Sequence, residues 1–145
     1  VRARTDEALR LCDLEDLAAT PVRSLSTGQR RLVELARCVA GDYRIFLLDE
    51  PSSGLDRSET RRFGQILQSL VAERGIGILL VEHDMSLVVE TCAQVYVLDF
   101  GRALFDGTAE EAMRAPEVRA AYLGTEAVDD VPAATSDLAE TTVPS

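Results

Sequence analysis

Apolar positions along this chain change their period several times, and each change marks an element. Leu9, Cys12 and Leu17 fall at roughly helical spacing, so a short helix is expected over Thr5 to Leu17, with Asp6 and Glu7 suited to its positive end. Pro21 interrupts the chain. From Ser26 onward, Leu32, Leu35, Ala36 and Val39 follow the i, i+3, i+4, i+7 pattern. Ser26 and Gln29 form the S-x-x-Q capping box of a helix start, and Gly41 ends that helix. Ile45 to Leu48 is a continuous apolar run of strand length, expected to be buried on both faces, and it stops abruptly at Asp49-Glu50-Pro51.

A second long helix is expected from near Ser58, with Asp56 and Glu59 in D-x-x-E capping positions. Its stripe is Phe63, Ile66, Leu67, Leu70 and Val71, and Gly75 and Gly77 close it. Ile76 to Val81 reads as another buried strand, followed at once by Glu82-His83-Asp84 and a short helix containing Met85, Val88, Val89 and Cys92. Strands alternating with helices imply right-handed parallel crossovers, hence a layered α/β domain with a parallel sheet. Val95 to Leu98 and Ala103 to Phe105 then read as a hairpin joined through Asp99-Phe100-Gly101-Arg102. Asp106-Gly107-Thr108 turns into a last helix ending near Tyr122-Leu123-Gly124.

Composition narrows the class. The chain has 145 residues, 46% apolar and 28% charged, which suits one globular domain and excludes collagen-like, mucin-like and wholly disordered chains. Its longest apolar runs, such as Ile78 to Val81, fall far short of the roughly 20 residues of a membrane-spanning helix. The net charge of -10 is concentrated at the end, where residues 125–145 hold five acids and no base and read as a disordered tail behind a domain of residues 1–124. There is no basic stripe of the kind that binds nucleic acid. Cys12, Cys38 and Cys92 are odd in number and sit in apolar periodic stretches, the pattern of reduced core thiols in a cytoplasmic protein. All fifteen basic residues are arginine. Val1 in place of Met gives the chain the look of a piece of a longer protein.

Polar residues just past the carboxyl ends of parallel strands face the ligand crevice. Asp49-Glu50 and Glu82-His83-Asp84 occupy those places here. A strand ending in Asp-Glu suits a nucleoside triphosphatase, in which one carboxylate helps hold Mg²⁺ and the next polarises a water. The same pair also suits a solvated acidic turn. Leu25-Ser26-Thr27-Gly28-Gln29 offers a hydroxyl, a glycine and a helix N-terminus, which together can make an anion site, but taken alone the motif reads first as a capped helix start. Glu34, Glu90, Arg30-Arg31 and Arg61-Arg62 read as solvated helix faces, and His83 taken alone reads as structural.

In this order the pieces resemble the ATP-binding subunit of ATP-binding cassette transporters, over Leu9 to Gly124. Leu25 to Gln29 looks like the family signature, with Thr27 in place of the commoner glycine. Ile45 to Glu50 looks like the Walker B strand and catalytic glutamate, Ser53-Gly54-Leu55-Asp56 like the D-loop, and His83 like the switch histidine. The resemblance implies a P-loop NTPase-like α/β domain, of which this is the distal part, with part of the helical signature subdomain and a C-terminal hairpin. It implies ATP and Mg²⁺ as cofactors, with Asp49 toward the metal, Glu50 and His83 as catalytic residues, and Ser26, Gly28, Gln29 and Asp56 toward ATP bound on an opposing second ATP-binding subunit. Membrane permease subunits would be the other partners, at the cytoplasmic face of the membrane. Val81 to Met85, Tyr96 to Gly101 and Val118 to Gly124 look like importers of branched-chain amino acids, although urea-type and lipopolysaccharide-export ATPases end in a similar Tyr-Leu-Gly.

The family's phosphate loop, G-x-x-x-x-G-K-[ST], needs a lysine, and this sequence has none. The stacking aromatic loop and glutamine loop that precede the signature are missing as well. The chain by itself is therefore expected to be inactive. The alternatives are a non-catalytic interaction fragment that keeps the signature surface, or a soluble cassette ATPase outside transport.

Overall fold

Side-chain caps decide where most of the helices begin. The structure, a computed structural model, describes residues 2–41 and 43–123; the expected tail over 125–145 lies outside them. Helix α1 spans Arg2–Leu11 and α2 spans Thr27–Ala40, the latter opened by the Ser26/Gln29 capping box with both reciprocal bonds made. Strand β1 is Ile45–Asp49. Helix α3, Arg57–Arg74, opens on the Asp56/Glu59 box and ends at Gly75, whose φ of 60° is a left-handed C-cap that glycine adopts without strain. Strand β2 is Gly77–Val81, α4 is Met85–Thr91, and β3 (Val95–Asp99) and β4 (Arg102–Gly107) form the hairpin. Thr108 and Glu111 cap α5, Ala109–Arg114. Extended Ala115 stands before Pro116, as sterics require, and α6 is Pro116–Val118, followed by a π-helical turn over Arg119–Leu123.

The first helix differs from expectation. It starts earlier and stops at Leu11, because Asp13 turns left-handed at φ 54° and Glu15–Leu17 is a separate 3₁₀ turn. Cys12 and Leu14 are nonetheless buried, so the apolar spacing marked a core face that continues past the helix.

β1 and β2 pair in parallel, Ile45 beside Gly77 and Asp49 beside Val81, with α3 as the crossover. β3 and β4 pair antiparallel as a second two-stranded sheet. The main core joins α1, α2 and α3 to one face of β1, through Leu35, Phe46, Phe63, Leu67 and Leu70. A smaller cluster of Val97, Ala112, Ala115 and Val118 seats α5 and α6 on the hairpin. Exposed ion pairs Glu7–Arg74, Arg10–Glu73 and Asp13–Arg62 stitch the α1 end of the chain to α3, each adding at most about 1 kcal/mol.

Burial of β1 and β2 on both faces does not hold. Phe46 is 4% exposed, yet its neighbour Leu47 is 74% exposed, and Ile45, Leu79 and Val81 share that open face. The helices cover one side only, and among the described residues no element packs on the other.

All three cysteines are free, as the sequence implied. Burial, then the adjacent Asp13 and Cys38, push the Cys12 thiol up to about 12, so it stays protonated in the core. None of the described helices is long and apolar enough to cross a membrane.

Candidate functional site

The carboxyl ends of β1 and β2 lie side by side, so the two acidic clusters of the sequence meet. Asp49 closes β1 opposite Val81 and is exposed. Glu50 follows at φ 42°, a left-handed backbone that a residue with a Cβ adopts at a cost. Its amide donates to the Val81 carbonyl at 2.9 Å, so β2 holds the residue in that conformation. The turn sends the Glu50 side chain out to where His83 Nδ1 lies 3.7 Å from Oε1. An acid just past the end of one strand and an imidazole past the end of the next thus stand side by side, both exposed.

The segment 51–56 then carries the chain to α3. Ser53 and Leu55 amides donate to the carbonyls of Glu50 and Ser52, at 3.1 and 3.0 Å. Gly54, at φ 81°, lies against Thr27, whose methyl would be 3.6 Å from a Cβ built there. The start of α2 is thereby seated on the segment that leaves β1. Ser26, Gly28, Gln29, Asp49, Glu50, Asp56 and His83 are all on or next to this one connected set of loops.

Several of these side chains already have bonds. Ser26 Oγ accepts the Gln29 amide at 3.1 Å and Gln29 Oε1 accepts the Ser26 amide at 2.9 Å. Asp56 Oδ1 accepts the Glu59 amide at 2.8 Å. Gly28 is buried. The Arg31–Glu34 and Arg61–Glu90 pairs are exposed, in keeping with solvated helix faces.

Residues 1–53 match the family model described as ABC transporter. Over that segment the chain belongs to the ATP-binding cassette family, and the remainder is similar to the proteins that follow. The chain is 38% identical over 112 residues to the high-affinity branched-chain amino acid transport ATP-binding protein BraF of Pseudomonas aeruginosa, an overlap of 77% of this chain and 44% of BraF. It is 37% identical over 121 residues to the lipopolysaccharide export system ATP-binding protein LptB of Acidithiobacillus ferridurans, covering 83% of this chain and 50% of LptB. In structure it is similar to the ADP conformation of an ATP-binding cassette of an ABC transporter, with a TM-score of 0.76 and 25% identity over 84% of this chain and 49% of that one. The chain spans about half the length of the curated relatives it matches.

Glu82, expected from the sequence to face the ligand crevice with His83 and Asp84, turns inward instead. The Glu82 side chain is fully buried, and its carboxylate accepts the amides of Ser52 at 2.9 Å, His83 at 3.1 Å and Asp84 at 3.4 Å. It fastens the loop after β1 to the loop after β2 and holds the backbone of His83. An acid directly after a buried strand was the available signal, but sequence gives no sign of which amides would converge on it. Asp84 caps α4, and the Ser86 hydroxyl, followed by the Ser86 and Leu87 amides and His83, holds its carboxyl below the usual range against the opposing effect of burial.

Among the described residues no three His, Cys, Asp or Glu side chains form a metal-holding group. The donor set still suits Mg²⁺, which is usually held through one or two carboxylates with waters and substrate phosphates rather than by an all-protein cage.

Proposed function

We propose that this chain is part of the ATP-hydrolysing subunit of an ABC transporter that powers solute import, with branched-chain amino acids as the solute class. The observation that carries the reading is the meeting of Glu50 and His83 at the ends of two parallel strands, with Glu50 in a backbone conformation held by β2. Similarity to BraF supports the solute.

In this reading Asp49 holds Mg²⁺ through water, and Mg²⁺ supplies charge neutralisation at the nucleotide phosphates. Glu50 accepts a proton from, or orients, the attacking water. His83, held by Glu82 through its backbone, faces the terminal phosphate and links its presence to the end of β2. Ser26, Gly28, Gln29 and Asp56 face ATP on a second ATP-binding subunit across a head-to-tail dimer. The positive end of α2 favours an anion there. Permease subunits at the cytoplasmic face of the membrane complete the assembly.

The test joins this chain behind the upstream half of BraF and measures ATP turnover. Glu50→Gln should lower it by roughly 10²- to 10⁴-fold, the usual loss when a general base is removed. Near-full turnover overturns the assignment of Glu50. A second reading, a non-catalytic interaction fragment, draws on the lack of any lysine in the 145 residues; it requires that the joined protein turn over no ATP at all.

A further inference from the structure

Gly28 is the second residue of α2, and a carboxylate closes the space beside its Cα. A Cβ built at Gly28 would lie 2.4 Å from Oε1 and 2.6 Å from Cδ of Glu59, closer than non-bonded atoms tolerate. The same carboxylate accepts the Asp56 amide through Oε2 at 3.1 Å. One side chain therefore touches both the start of α2 and the last residue before α3. The Thr27 methyl, 3.6 Å from where a Cβ on Gly54 would stand, makes the same two segments neighbours at a second place. A negative group in this place is also favoured by the positive end of α2.

We propose that Glu59 is a positioning residue that couples Gly28 to the Asp56 backbone, so that a group pressing on Gly28 displaces the Glu59 carboxylate and releases the Asp56 amide. The coupling follows from flexibility. The carboxylate is the far end of a rotatable side chain, so it yields by swinging away, and the swing breaks its bond to Asp56 before any backbone need move. The meaning of the coupling rests on the proposed function, in which α2 and Asp56 face the same nucleotide on an opposing subunit.

Amide spectra of the whole chain, recorded without nucleotide, test the coupling alone. Gly28→Ala should move the Asp56 amide resonance well beyond its linewidth, and in a Glu59→Ala background the same substitution should leave Asp56 unmoved. Equal movement of Asp56 in both backgrounds, or none in either, overturns the proposal. If Gly28→Ala does not fold, the Glu59 variants decide. Glu59→Ala should shift the Gly28 amide, and Glu59→Gln, which keeps the bulk and an acceptor oxygen, should restore it. A Gly28 amide indifferent to Glu59→Ala, or left shifted by Glu59→Gln, overturns the proposal. Failure here leaves the ATPase reading standing, and failure of ATP turnover in the joined protein leaves this coupling standing.

Discussion

The buried carboxylate of Glu82 accepts the Ser52 amide at 2.9 Å, and this bond ties the end of β2 to the loop that leaves β1. Two strands joined only by their ladder would leave that loop free to drift; with Glu82 in place, His83 and segment 51–56 share one anchor.

Glu82→Ala should therefore destabilise the chain by more than an exposed acid would. It strands amides that had a charged acceptor, at a cost of about 1–3 kcal/mol for each buried group left unpaired. Urea unfolding of the two proteins measures the difference, and a change within about 0.5 kcal/mol, ordinary for a surface site, would refute it.

β1 provides an internal comparison. Phe46→Ala removes a ring from the core and should cost about 3–5 kcal/mol, whereas Leu47→Ala, on the open face, should change stability by about 0.5 kcal/mol or less. Similar losses at both positions would mean that the open face is covered in solution.

Asp84 gives a pH dependence whose sign is fixed. Its carboxyl is held below the ordinary value of about 3.9, mainly by the Ser86 hydroxyl, so the folded chain binds that proton less tightly than the unfolded one. Its contribution to stability is complete above that ordinary value and is lost as pH falls through the lower folded value. Ser86→Ala should raise the Asp84 carboxyl, readable by carbon NMR titration, and Asp84→Ala should cost about 1 kcal/mol at neutral pH through loss of the α4 cap. An Asp84 titration unchanged by Ser86→Ala would refute the assigned cause.

Nucleotide binding by the chain alone should be weak. With no lysine to contact the phosphates, Mg-ATP titration should show no saturable site at micromolar concentration, that is, affinity weaker than about -8 kcal/mol. Saturation at micromolar nucleotide would refute this.

The parts of the fold that were legible in the sequence are those set by local chemistry. The Ser26/Gln29 and Asp56/Glu59 boxes fixed the starts of α2 and α3, and Gly75 fixed the end of α3. Phe100 and Gly101, both at positive φ, turn the hairpin where it was expected. Burial on the second face of β1 was not legible, because an apolar run such as Ile45–Leu48 records what the strand can bury and not which layers are present. Site residues could be named from their order, but the left-handed turn at Glu50 and the convergence of three amides on Glu82 depend on β1 and β2 being in register. Glu59 was read as a cap, which it is; its contact with Gly28 joins positions 31 apart in sequence, beyond the reach of any local pattern.

The parallel pairing of β1 with β2 also bears on the order in which the chain folds. Ile45 meets Gly77 only after the whole of α3 has been laid down between them, so closing this ladder carries a long-loop entropy that the hairpin, turning on two residues, avoids. The bond from the Glu50 amide to Val81 and the grip of Glu82 on Ser52 both wait for that closure. The acidic cluster is therefore expected to assemble late, and its geometry would report completed folding: until the crossover closes, Glu50 and His83 are not neighbours.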